Sequence, residues 1–193
     1  MDVTQLPYKE KNKRAKKQML WFGIISLCMG FAGLTSAYVV SSKRKDWLQD
    51  FELPQEFLIS TVIIMASSVT LWLAGRALKK GNNSLTAGLT IATVILGGVF
   101  TYLQFAGFNS ILDMGYYPTG ESSNITFTFI YLIVLVHLAH LAVGFISLLF
   151  VAVKTLTGKY TPQEMLGFEL GATFWHFVDF LWLYLFLFFY FFR

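Results

Sequence analysis

Three polar side chains interrupt the last stretch of this sequence, and each is of a type that can do chemistry. Residues 168–193 are almost wholly hydrocarbon and aromatic, yet they contain Glu169, His176 and Asp179. Two more histidines, His137 and His140, lie in another long apolar run, with Gly144 four residues further on. On a helix His137, His140 and Gly144 share one face, and Glu169, Thr173, His176 and Asp179 form one polar stripe on an otherwise apolar rod. Two chemistries suit such groups. A pair of histidines on facing helices can hold a haem axially, with His176 opposite His137 or His140. Alternatively, a buried histidine can satisfy a buried carboxylate, which otherwise costs about 2.5–3.5 kcal/mol in a membrane-spanning helix. At about 1.5 Å per residue, Asp179 and His140 fall at similar depths, so His140 is expected to hold Asp179, with His176 as its neighbour three residues away on the same helix.

The elements that must position these groups follow from hydropathy. Of the 193 residues 55% are hydrophobic, 18% aromatic and only 13% charged, a balance that excludes an ordinary soluble domain. Five apolar runs cover about 19–41, 57–78, 84–107, 125–153 and 168–192, each long enough to cross a hydrocarbon core of about 30 Å as a helix. A transmembrane barrel would instead show alternating segments of about ten residues. The expected fold is therefore all-α, a five-helix transmembrane bundle. The connections are too short for another folded unit, so residues 19–193 are read as one domain behind a basic cytoplasmic tail, 1–18. The first apolar run lacks a following small-residue cleavage site and is read as an uncleaved span.

Charge orients the bundle. With the tail inside, the inner face collects Lys9, Lys11, Lys13, Arg14, Lys16, Lys17, Arg76, Lys79, Lys80, Lys154 and Lys159. The outer face receives only Lys43, Arg44, Lys45 and Arg193, despite the acidic Asp46, Asp50, Glu52 and Glu56 that follow the cluster 43–45. The expectation is an inside N-terminus and an outside C-terminus. A net charge of +4 gathered beside membrane spans is no nucleic-acid signature, and the lone Cys28 rules out a disulfide or a cysteine metal site within one chain.

Small residues predict packing. Gly23, Ser26, Gly30, Gly33 and Ala37 make a heptad seam in the first span, and Ser60, Ser67 and Ala74 make one in the second. Such seams let helix backbones approach where lipid supplies no hydrophobic drive. Other chemistries lack their parts: there is no H-E-x-x-H, no glycine-rich phosphate loop, and no pair of Gly/Pro-broken half-helices of the kind that marks repeat transporters. From the residues alone the reading is a membrane bundle with a buried cluster of His137, His140, Glu169, His176 and Asp179 and no catalytic centre, with a small free-standing cytochrome or transporter as the competing class.

The run from Thr173 to Leu183, with Trp175, His176, Asp179 and Trp182 in register, closely resembles the last helix of subunit III of haem–copper oxygen reductases, above all cytochrome c oxidase subunit III. Leu53-Pro54, Phe57 and Ser60-Thr61, followed by Ser67-Ser68, Thr70 and Arg76-Ala77-Leu78, are similar to the family's corresponding span. So are Leu96-Gly97, Phe100 and Gln104, and the paired His137 and His140 with Gly144. The resemblance implies a short, five-span form of a fold that often has seven spans. It implies a non-catalytic subunit that packs on subunit I, beside subunit II and other respiratory subunits. It also implies bound membrane phospholipid and support of proton uptake and stability in a proton-pumping cytochrome c oxidase of a prokaryotic inner membrane. Haem and copper belong to the partner subunits and none to this chain, and no nucleic acid is involved. A quinol oxidase or a complex related to nitric oxide reductase would carry a similar subunit. Two family glutamates are missing: Leu27 stands at one position and Gly107 at the other, so a proton-handling role for those carboxylates does not carry over.

Overall fold

The structure, a computed structural model, describes residues 7–48, 53–118, 120 and 124–192. Asp50, Glu52 and Arg193, which entered the charge count, lie outside the described residues, as do residues 1–6 of the tail. Five helices run through the chain: α1 (Tyr8–Ser41), α2 (Gln55–Lys79), α3 (Asn83–Asp113), α4 (Ile125–Leu156) and α5 (Leu166–Phe191). All five are long and apolar enough to cross a membrane. An integral membrane bundle with no strand among the described residues is what the hydropathy predicts.

Local chemistry sets the helix ends. Pro7 and Pro54 precede α1 and α2, where a residue without an N–H costs nothing. Asn82 and Asn124 cap α3 and α4 with their side-chain oxygens, accepting from the backbone N–H of Leu85 at 3.1 Å and of Thr126 at 2.8 Å. The helix α1 begins eleven residues before the apolar run at 19. The tail residues Lys, Arg, Gln and Ala are good helix formers, so polarity there marks where the membrane ends and not where the helix does. At about 1.5 Å per residue the 34 residues of α1 reach about 50 Å, well beyond a hydrocarbon core. Its protruding part is tied down twice. Lys9 pairs with Glu164 in the α4–α5 connection, and Lys17 Nζ lies 2.6 Å from Glu169 Oε2 at the start of α5.

Helices α2, α3, α4 and α5 form a closed ring of neighbours, α2 on α3, α3 on α4, α4 on α5 and α5 on α2, and α1 lies against α4 and α5. The ring encloses Ile64, Leu71, Phe100, Ile133, Trp175, Val178 and Leu185, all fully buried. Close approach rests on glycine at two places. A Cβ at Gly97 would lie 2.8 Å from the Trp175 ring, and one at Gly107 would lie 2.9 Å from Phe57.

The two small-residue seams have opposite fates. Ser60, Ser67 and Ala74 are fully buried between α2 and its neighbours. Gly23, Ser26, Gly30, Gly33 and Ala37 are exposed, and no atom of the described residues lies within 4 Å of where a Cβ would stand at the three glycines. The side of α1 that packs on the bundle carries Ile24, Phe31, Thr35 and Tyr38 instead. The heptad spacing placed the small residues on one face of α1 but could not say which way that face points.

Candidate functional site: a polar column along α2

The buried hydroxyls of α2 come in two adjacent pairs one heptad apart, Ser60/Thr61 and Ser67/Ser68, and polar groups of the flanking helices reach them. Gln104 Nε2 of α3 donates to Ser60 Oγ at 2.8 Å, and Trp182 Nε1 of α5 donates to Thr61 Oγ1 at 3.0 Å. One heptad along, Trp175 Nε1 donates to Ser67 Oγ at 3.1 Å. The two tryptophans are themselves seven residues apart, so the spacing on antiparallel α5 matches that on α2. Between α2 and α3, Thr70 Oγ1 and Thr93 Oγ1 are 2.8 Å apart.

Asp179 sits in this column, fully buried. Its Oδ2 accepts from Ser68 Oγ at 2.5 Å, with Ser67 Oγ more distant at 3.4 Å, while Oδ1 has no hydrogen-bond partner among the described residues. His176 Nδ1 lies 3.0 Å from the same Ser68 Oγ. Asp179 thus reaches a histidine through a serine, on α2 and not on α4. The expected contact with His140 is corrected: His140 Nδ1 donates to the Val136 carbonyl at 2.7 Å, and its ring meets Phe31 of α1 edge-on at 5.7 Å. Helical periodicity put Asp179 and His140 at compatible depths, but α5 turns its aspartate toward α2 while α4 turns His140 toward α1.

The other members of the expected cluster also separate. His137 is fully buried against the Trp182 ring, 5.2 Å between centroids, and neither ring nitrogen has a hydrogen-bond partner among the described residues. Glu169 stands at the helix end with Lys17, where a carboxylate also complements the N-terminal dipole of α5. Among the described residues no three His, Cys, Asp or Glu side chains group so as to hold a metal. On sequence grounds His140 is preferred to the small hydroxyls and tryptophans as the partner of Asp179, and Gln104 is not paired with Ser60. The legible signal was the shared heptad between the hydroxyl pairs and the tryptophans.

A cleft of about 420 Å³ opens between α1, α2 and α5 at the end where Glu169 lies. Lys17, Trp21, Trp72, Arg76, Lys79, Phe168, Glu169, Thr173 and His176 are among its walls. The Arg76 guanidinium lies over the Trp72 ring at 3.7 Å, a cation–π contact. His176 therefore faces both the cleft and, through Ser68, the buried column.

Leu27 is partly buried on α1. At Gly107 the Phe57 ring fills the space that any longer side chain would need. Comparison with known proteins puts these features in a family. Residues 19–193 match the family model described as cytochrome c oxidase subunit III. The protein named cytochrome c oxidase subunit 3 from Papio hamadryas is 31% identical over 140 residues, 72% of this chain and 50% of that protein. Its namesake from Heterololigo bleekeri is 34% identical over 140 residues, covering 70% and 49% of the two chains. That from Spodoptera frugiperda is 33% identical over 142 residues, covering 71% of this chain and 87% of the relative. The chain thus spans about half the length of most of the curated relatives it matches. With α2 to α5 and the greater part of α1 inside the matched region, the chain belongs to the cytochrome c oxidase subunit III family.

Proposed function

We propose that this chain is the non-catalytic third subunit of a proton-pumping respiratory oxidase, that it docks on subunit I beside subunit II, and that it supports proton uptake and durability of the complex. In this reading haem and copper sit in the partner subunits, electrons come from cytochrome c rather than quinol, and the membrane is a prokaryotic inner membrane with the N-terminus inside. The observation that carries the docking is the outward face of α1. Gly23, Gly30 and Gly33 stand open there with no atom of the described residues within 4 Å of a Cβ, a surface on which another helix can lie backbone to backbone. Orientation is supported by the charge, because the basic tail, Arg76, Lys79 and the α4–α5 connection meet at one end of the bundle. Phospholipid binding is supported by the cleft, where Lys17, Arg76 and Lys79 stand above the apolar lining.

Affinity purification of this chain from its own membrane in mild detergent is the test. A much larger haem-bearing partner should come with it, and the complex should turn over reduced cytochrome c in preference to quinol. A monodisperse lone chain would sink the proposal. A Soret band that stays with this chain after every partner is stripped would replace it with the free-standing cytochrome. Mass spectrometry of the purified complex should find retained anionic phospholipid.

A further inference from the structure

We propose that His176, Ser68 and Asp179 form a proton-exchange path that connects the cleft between α1, α2 and α5 to the carboxyl group buried halfway along α5. Asp179 is fully buried, about 20 Å along α5 from the helix start at about 1.5 Å per residue. His176 is one helical turn closer to that start and forms part of the cleft wall. Ser68 stands between them, 3.0 Å from His176 Nδ1 and 2.5 Å from Asp179 Oδ2.

The serine is the telling member. Hydroxyls inside helices usually donate back to a carbonyl one turn earlier. Its neighbours on α2 do so: Ser60 and Thr61 donate to Phe57 O at 2.9 and 2.7 Å, Ser67 to Ile64 O at 2.8 Å, and Thr70 to Ser67 O at 2.8 Å. Ser68 makes no such bond, and its hydrogen bonds go to Asp179 and His176. Ser67, whose proton is committed to Ile64 O and whose oxygen accepts from Trp175, is the spectator.

The chain has two orientations that differ by one proton. In the first, His176 Nδ1–H donates to Ser68 Oγ, and Ser68 O–H donates to the Asp179 carboxylate. A proton arriving from water in the cleft binds His176 Nε2. The Nδ1 proton passes to Ser68 Oγ as the Ser68 proton passes to Asp179 Oδ2. The second orientation then has Asp179 O–H donating to Ser68, Ser68 donating to Nδ1, and a neutral imidazole carrying its proton on Nε2. The reverse sequence releases the proton, so the two orientations suffice for exchange: the protonated one is neutral, and the other holds a single negative charge on Asp179. The charged groups at the mouth are Lys17 of α1, Arg76 and Lys79 of α2, and Glu169 of α5. On α4 the nearest titratable groups are His137, behind the Trp182 ring, and His140, turned to Phe31. None of the buried polar groups of α3 is titratable: they are Thr86, Thr90, Thr93 and Gln104.

The inference does not depend on the oxidase assignment, and its test reads the full chain directly. In membranes transferred to deuterium oxide, the carboxyl C=O infrared band is followed in time and assigned by its loss in Asp179→Asn. Exchange should be complete within minutes in the unaltered protein. It should slow at least tenfold in Ser68→Ala and in His176→Phe, and recover in Ser68→Thr, which restores the hydroxyl. Equal exchange rates in all of these, or no exchange in the unaltered protein, would overturn the path. Should Ser68→Ala fail to fold, the unaltered protein and His176→Phe still decide the matter.

Discussion

Ser68 Oγ lies 2.5 Å from Asp179 Oδ2, and this contact joins α2 to α5 at the midpoint of the bundle. Asp179 is fully buried, and without this bond its carboxyl group would keep only the longer contact with Ser67 Oγ at 3.4 Å. Asp179→Asn keeps a group that can bond the serine and should leave the thermal stability of the purified protein nearly unchanged. Ser68→Ala leaves Asp179 without its short bond and should cost about 1–3 kcal/mol in a detergent unfolding titration. Combining Ser68→Ala with Asp179→Leu should recover part of that loss. Independent, additive losses would show that the two groups do not act as a pair.

Gly97 and Gly98 are adjacent yet should behave oppositely. A methyl at 97 meets the Trp175 ring at 2.8 Å and one at 98 meets nothing within 4 Å. Gly97→Ala should therefore cost about 1–3 kcal/mol through displaced core aromatics, whereas Gly98→Ala should be neutral or slightly stabilising. Thermal denaturation of the two variants side by side makes the comparison.

The open face of α1 separates folding from assembly. Gly30→Leu adds a side chain at a Cβ position with no atom of the described residues within 4 Å, so the thermal stability of the chain in detergent should be unchanged. Co-purification with the haem-bearing partner should fall at least tenfold. Unchanged co-purification would place the docking surface on another helix.

The pair formed by Lys9 and Glu164 should open with acid. The hydrogen bond from Lys9, and then its charge, hold the Glu164 carboxyl below the usual carboxylate range. A folded-state value below the unfolded one means that the pairing stabilises at pH above the ordinary carboxylate range and is lost as pH falls through the folded-state value. Spin labels beside positions 9 and 164 should separate in that acid window and in high salt. In Lys9→Gln the distance should be long at every pH.

The five spans were legible because twenty or so apolar residues can do little else. The early start of α1 was not, since Lys11, Lys13 and Lys16 read as a solvated tail although their helix propensity is good. The site was legible in parts. The sequence marks His176 and Asp179 as buried oddities, and the Ser60/Thr61 and Ser67/Ser68 repeats as a packing seam. Their meeting was missed because periodicity assigns residues to a face and leaves open which helix that face greets. His140 shows the same gap: its depth suited Asp179, while its ring bonds within α4 and rests on Phe31.

The two ion pairs on α1 act together in a way that neither does alone. A rod held at one point pivots, whereas a rod held at two points is aimed. Lys9 and Lys17 are held to Glu164 and Glu169, about 12 Å apart along the helix at 1.5 Å per residue. These supports lie at one end of the bundle, yet they fix the tilt of the whole beam. The outward row of Gly23, Gly30 and Gly33 is thus sighted by contacts at the margin of the bilayer. Ions and pH in the adjoining water would then alter the aim of that face without touching the buried core.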